Sequence, residues 1–507
     1  MTGCLRSWSL AQSWGLAQSW GLAIAAALAL AAGPACADGI GPHWGSDQLR
    51  AGRDLQPVEA LRFHLHRVHT GAAGKKVSDT EVVLAASFTF LKTGGQKTGD
   101  QAVLYDHALC RWLSWPAASG GLSNINCHAL PYFFGVEMQN RIGLNTLPTE
   151  AAGKAMSIYE AETELHLSAG GTTLTRTPTK NGADYAVAGK RMVRVSGDAG
   201  ALQPDEVHRV VRFLALATPV HPEVRRDIAA AARLPASIEM DGLGPGQNEH
   251  ETIVFSRIVR ARLAYPLPPG LAPEIQSSSW SKDATTTEAV RAAVAAIRDP
   301  AAHPEPTLDE LVQRATAGAA AHNPIQVVFS YFTAVQLHAG VLNTPAVKAR
   351  LQPMLAALSP ALKDPQAAAV WDASRLAGDG AAKGDRQAAV RTLLDLGPEA
   401  GDQADFRDIT LGNLMLVSKD REQWDPALRA RLPDSATACF WRSIAAAPWP
   451  ANTYHDVGIA LLGDYQVDVA WMAFDLGRAI DPTWKGGVMQ SIADAEQRLE
   501  HNLPDFF

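Results

Sequence analysis

Three histidines, His64, His66 and His69, fall within the run HLHRVH. On an extended chain alternate side chains share a face, so His64 and His66 stand side by side, where two imidazoles can hold one metal ion. His69 points to the other face unless a bulge intervenes. A catalytic zinc site needs a third protein ligand and an open position. His107, His128, His166 or a strand glutamate would have to supply that ligand, and the sequence brings none of them near. The plainer reading is two histidines on the wet face of a strand, with no metal and no cofactor.

Paired carboxylates are the next chemistry to look for. Glu160, Glu162 and Glu164 make an acidic ladder in SIYEAETELHLS, and Arg257, Arg260 and Arg262 stand on another β-rich run. Glycosidase-type work needs two acids about 5–9 Å apart across a cleft, whereas opposite charges on neighbouring strands commonly pair on a solvated face. The second reading is the expectation. There is no Gly-x-Ser-x-Gly elbow, no His-Glu-x-x-His and no phosphate-binding Gly-x-x-x-x-Gly-Lys-Ser/Thr. His250-Glu251 lacks the second histidine, and GLGPGQ at 242–247 lacks a strand–helix setting. No catalytic residue is assigned.

The first 37 residues carry Arg6, an apolar run from Gly21 to Ala32, and Ala35-Cys36-Ala37 before Asp38. This is the layout of a cleaved secretory leader, and the run is short for a membrane span. Gly33 and Pro34 before Cys36 argue against lipidation. Removing residues 1–37 takes away one Arg and no acid, leaving 44 basic against 52 acidic residues and a formal charge of −8. A mildly acidic, well-mixed surface argues against nucleic acid as partner. The remaining chain is expected to have no integral membrane segment and to be periplasmic or secreted. Export would place Cys110 and Cys127 in an oxidising compartment, where a disulfide between them would contribute about 3 kcal/mol. Cys439 reads as a small core residue.

These groups need elements to position them. Residues 38–265 read as an α+β domain dominated by antiparallel sheet. Leu61, Phe63 and Leu65 alternate with Arg62, His64 and His66, and ETIVFSRIVRARLAY is a long β-branched run. Gly-rich and Asn-Gly turns mark hairpins. QPDEVHRVVRFLALA and HPEVRRDIAAAARL read as helices, and CHALPYFFGVEMQN, from Cys127 to Asn140, as an aromatic core strand. Residues 266–282, rich in Pro and Ser, read as a linker. From 283 to 507 the chain reads as all-α. Thr285 with Glu288 and Thr307 with Glu310 have capping-box spacing, followed by about eleven Ala-rich helical segments.

Within that half the chain echoes itself. Ala436, Phe440 and Pro448 recur as Ala470, Phe474 and Pro482 at an interval of 34 residues, and Ser443 and Gly477 are both small. Tyr454, Val457, Gly458 and Leu461 stripe a first helix; Val467, Ala470, Trp471 and Phe474 stripe a second that stops at Pro482. A lone pair of such helices cannot bury both faces, so copies must stack.

This pattern resembles the tetratricopeptide repeat, whose small and aromatic positions fall on Tyr454, Val457, Gly458, Ala470, Phe474, Gly477 and Pro482. It departs at Leu461, where the family carries Tyr. The preceding unit matches through Ala436, Phe440, Ser443 and Pro448, and its first helix, near ITLGNLMLVSKD, needs an irregular insertion. The resemblance implies a C-terminal solenoid of helical hairpins that binds a protein or peptide partner on its first helices. In the clearest unit that face carries Asn452, His455 and Asp456. Family members that grip a C-terminal carboxylate use a Lys and an Asn four residues apart; the matching positions here are His455 and Ile459, so this unit lacks that clamp.

The function expected is that of an exported, non-catalytic binding or scaffold protein of the bacterial envelope. The alternative is a secreted hydrolase, possibly metal-dependent, with its site around His64 and His66 in the sheet domain. The leader reading predicts that N-terminal sequencing of the exported protein starts at Asp38. A membrane-bound form starting at Met1 would contradict it.

Overall fold

A computed structural model describes residues 40–71, 74–94, 101–116, 121–129, 174–187, 189–218, 220–243, 249–274, 284–338, 344–378, 384–397, 404–418, 421–464, 466–482, 487–502 and 504–507. The leader, the Glu160–Glu164 ladder and the aromatic run beyond Ala129 lie outside the described residues. The chain forms two compact units, Gly41–Glu274 with Ala493–Phe507, and Ile275–Ile492.

The first unit opens with the short helix α1 (Ser46–Ala51) and a six-strand meander. Its strands are β1 (Val58–Gly71), β2 (Gly74–Ala85), β3 (Phe88–Gly94), β4 (Gln101–Asp106), β5 (Arg111–Pro116) and β6 (Gly121–Asn126). There follow β7 (Thr175–Thr179), β8 (Gly182–Val187), β9 (Lys190–Ser196) and β10 (Gly200–Ala201). Two helices, α2 (Pro204–Ala217) and α3 (Pro222–Ala231), precede β11 (Arg233–Leu234), β12 (Ser237–Leu243), β13 (Glu249–Leu263) and β14 (Ala272–Pro273). Twelve strands make one open sheet in the order β14-β6-β5-β4-β3-β2-β1-β13-β12-β9-β8-β7, antiparallel except for the parallel β14–β6 edge. The N-terminal half is therefore an antiparallel-dominated sheet with helices.

Alternation decides the two faces. Leu61, Phe63 and Leu65 of β1 are buried with Val82 and Leu84 of β2, Ile253 and Phe255 of β13, and Val210, Phe213 and Leu214 of α2. The intervening Arg62, His64 and His66 stay partly exposed. β13 carries one extra residue opposite Arg62–His64, where the register slips from Arg62↔Val259 to His64↔Ser256. Such a bulge re-aims the side chains beyond it.

Both helices start as their sequences dictate. Gln203 N–H donates to Glu206 Oε2 at 2.8 Å, with Pro204 in the first turn. Glu223 N–H donates to His221 Nδ1 at 3.1 Å ahead of α3. Residues 266–274, expected to begin a linker, belong to this unit instead. Leu267 is buried, Leu271 O accepts from Ser46 N–H at 3.0 Å, and Pro273 pairs with Leu122. A proline is tolerated at this sheet edge because it has no N–H to contribute.

The second unit is a series of helices. In order they are α4 (Ala284–Arg298), α5 (Leu308–Ala320), α6 (Pro324–His338), α7 (Pro345–Ala361), α8 (Pro365–Gly378), α9 (Arg386–Leu394), α10 (Ala404–Val417), α11 (Pro426–Arg429), α12 (Ala436–Ala446), α13 (Ala451–Gly463), α14 (Val467–Ile480) and the start of α15 (Gly487–Asn502). The Thr307–Glu310 box caps α5, with Thr307 N–H donating to Glu310 Oε2 at 2.8 Å. Thr285 instead lies inside the first turn of α4.

Helix pairs are the packing motif: α5 on α6, α10 on α12, α13 on α14. One glycine sets the approach in each of the last two pairs. A Cβ at Gly458 would lie 2.1 Å from the Phe474 ring, and one at Gly412 would lie 2.7 Å from the Phe440 ring. Gly412 of α10 is thus the counterpart of Gly458, and the irregular insertion before α12 contains α11 and a 3₁₀ turn at Arg421–Gln423. The stacking is not strictly sequential, because α4 packs against α12 and α14.

Phe474 is 1% exposed and has no room to yield. Gly458→Ala should therefore cost about 1–3 kcal/mol by overpacking, and Phe474→Ala roughly 3–5 kcal/mol by leaving a cavity. Gly463, with nothing within 4 Å of a Cβ, is the control. Gly463→Ala should be neutral or stabilise by up to about 1 kcal/mol. Urea denaturation monitored at the helical signal checks all three.

Candidate functional site

His64 and His66 of β1 lie on the face opposite the buried Leu61, Phe63 and Leu65. His66 Nδ1 sits 2.8 Å from Asp79 Oδ1, His64 pairs in register with Glu81, and Arg62 holds that glutamate. Among the described residues the one group of three close ligand-type side chains is Cys110, Cys127 and His128. Cys110 and Cys127 are joined in a disulfide, which commits both sulfurs. Among the described residues neither His64 nor His66 belongs to such a group, and His166 and the Glu160–Glu164 ladder lie outside them.

The outward carboxylates are met by bases on neighbouring strands. Asp184 takes Arg194 at 2.7 Å, and Asp241 takes Arg191 at 2.9 Å and His250 at 2.7 Å. Arg260 reaches Glu206 of α2 through two bonds of 2.7 Å, and Arg262 donates to Pro57 O. Among the described residues these carboxylates are each paired with a base.

Among the described residues of the helical unit the one strongly perturbed carboxyl is Asp405, in the first turn of α10. It is 7% exposed, and burial, with a smaller push from Asp408, raises its pKa to about 6. Asp408 is also raised by burial, but Arg442 and Arg407 hold it at 3.2 and 3.5 Å.

The residues expected to face a partner are brought together, on α13. Asn452, His455 and Asp456 are all half-buried. Asp456 Oδ2 accepts from Asn413 Nδ2 of α10 at 3.1 Å, and His455 Nε2 lies 3.1 Å from Ser491 Oγ of α15. His455 Nδ1 is also 3.3 Å from Asp456 Oδ1. A polar line therefore runs α10–α13–α15, joining the opening helices of the last two pairs to the helix that follows them.

Sequence reasoning missed the apolar part of this surface. One turn beyond the Asn413–Asp456 bond stand Leu416, 41% exposed, and Ile459, 44% exposed. Residues three apart share a helix face, so both belong to the same surface as the polar line. They are the exposed large hydrophobics among the described residues of the helical unit. Ile459 was legible as a departure from the family clamp; Leu416 was not, because the register of α10 was not fixed. No family model matches this chain, and no curated protein matches it.

Asp405 gives this region a pH signature. Its folded pKa lies above the ordinary 3.8, so the folded state keeps its proton while the unfolded state loses it. Stability is then full below about pH 4, falls as pH rises towards 6, and stays lower above that. Asp405→Asn should flatten that slope and raise stability at pH 7 by roughly 2–4 kcal/mol, as read from denaturation midpoints across pH 4–7.

Proposed function

We propose that this chain is an exported, non-catalytic binding protein of the bacterial envelope. Its partner is a protein or peptide held on the first-helix surface of a tetratricopeptide-like array. The observation that carries the reading is the composition of that surface. Two apolar side chains stay exposed beside a polar line shared by three helices, while the sheet unit spends its outward charges on its own neighbours. Exposed apolar groups rimmed by polar ones favour a docked chain with apolar anchors.

The glycine–aromatic seats at Gly412–Phe440 and Gly458–Phe474 support the repeat kinship, since they put matching residues of two hairpins in matching contacts. Export is supported by the leader pattern and by the disulfide. In the described residues no helix is long and apolar enough to cross a membrane.

The expected partner is an internal segment or folded surface rather than a free carboxylate, because His455 and Ile459 stand where the clamp pair would be. Leu416→Ser with Ile459→Ser should leave the fold intact, as both side chains are exposed, and weaken capture from envelope extract by at least ~tenfold. Equal capture by the double variant would remove this surface from consideration. His455→Ala with Asp456→Ala is a harsher change, since it also breaks the α10–α13–α15 bonds.

A further inference from the structure

Residues 493–507 group with the sheet unit, although the chain leaves that unit after Glu274. Among the described residues, three attachments hold this strap through side chains of the sheet unit. Asp505 Oδ2 accepts from Arg225 Nη2 at 2.9 Å and from Nε at 3.2 Å, and the arginine, 4% exposed, also donates from Nη1 to Val220 O at 2.7 Å. Arg212 of α2 donates to the main-chain oxygen of Phe507. His128 is fully buried: its Nε2 lies 3.2 Å from Glu500 Oε1, Glu496 Oε1 approaches its Nδ1 at 3.7 Å, and the Phe507 ring stacks on it at 5.1 Å.

The three anchors differ in how they are held. Arg212 and Arg225 stand on helices. His128 stands on a single 3₁₀ turn, Cys127–Ala129, directly after the bridged Cys127. That turn is tied back by the disulfide, by Cys127 N–H to Cys110 O at 3.0 Å and by His128 N–H to Asn126 Oδ1 at 3.0 Å. Cys110 itself has φ 51°, in the left-handed region that non-glycine residues rarely adopt. Both sulfur-bearing residues are half-buried rather than sealed, so a small dithiol can reach them.

We propose that the Cys110–Cys127 bridge is a reductant-sensitive latch that fixes the strap 493–507 on the sheet unit. A dithiol supplies two electrons and two protons. The S–S bond breaks, two cysteine thiols form, and the reductant leaves as its own disulfide. Cys110 is then free to leave its left-handed conformation, the turn bearing His128 loosens, and the stacking of Phe507 and the Glu500 contact go with it. The strap retains its arginine anchors but loses its third.

Hydrogen exchange of the full-length protein, read by mass spectrometry with and without dithiothreitol, tests this. The expected result is that amides of 493–507 exchange at least ~tenfold faster after reduction while those of β1 and β13 keep their protection. Unchanged exchange in 493–507 overturns the proposal. So does simultaneous loss of protection in β1 and β13, which would make the bridge a general brace. Cys127→Ser should show the fast strap in both conditions, and a strap in that variant that still responds to dithiothreitol also overturns it.

Discussion

The pairing of β1 with β13 is the constraint on which the sheet unit depends. It joins Val58 to Leu263 and runs on to Thr70 opposite His250, and every strand of the twelve hangs from one side of it or the other. The meander β1–β6 needs nothing but hairpins. The strands β12, β9, β8 and β7 reach the meander only through β13. Closing so large a loop costs entropy before any contact repays it. The repayment comes from the face this pairing presents, where Phe63, Phe255 and Phe213 meet with ring centroids 5.5 and 5.9 Å apart.

The helical unit rests on a smaller rule, applied twice. A helix lacking a side chain at one position lets an aromatic ring of its partner sit against its backbone. At Gly458 the ring is that of Phe474, and at Gly412 it is that of Phe440. Interiors packed at crystal-like density leave no room for a methyl group there. The polar line of Asn413, Asp456, His455 and Ser491 joins the opening helices of these two pairs, α10 and α13, to α15.

The same economy applies to the two histidines whose spacing suits a metal. His64 and His66 are residues that can bind metals or move protons. Here they lie on the wet face, His66 Nδ1 2.8 Å from Asp79 Oδ1 and His64 in register with Glu81. Residue type made them candidates. Placement made them part of a solvated surface.

By itself the sequence determined the class of each half, because period-2 and period-3.6 patterns are local and survive any topology. It also determined the cap at Thr307, the buried stripe of Leu61, Phe63 and Leu65, and the hairpin from Tyr454 to Pro482, whose spacing is complete within one stretch of chain. Tertiary structure decided what depends on residues far apart. It placed residues 266–274 and 493–507 in the sheet unit, and set Gly412 against Phe440 across an insertion that hid their register. It also left Leu416 and Ile459 in solvent. Each of those outcomes is fixed by which distant surface a segment meets, and a linear pattern carries no record of that meeting.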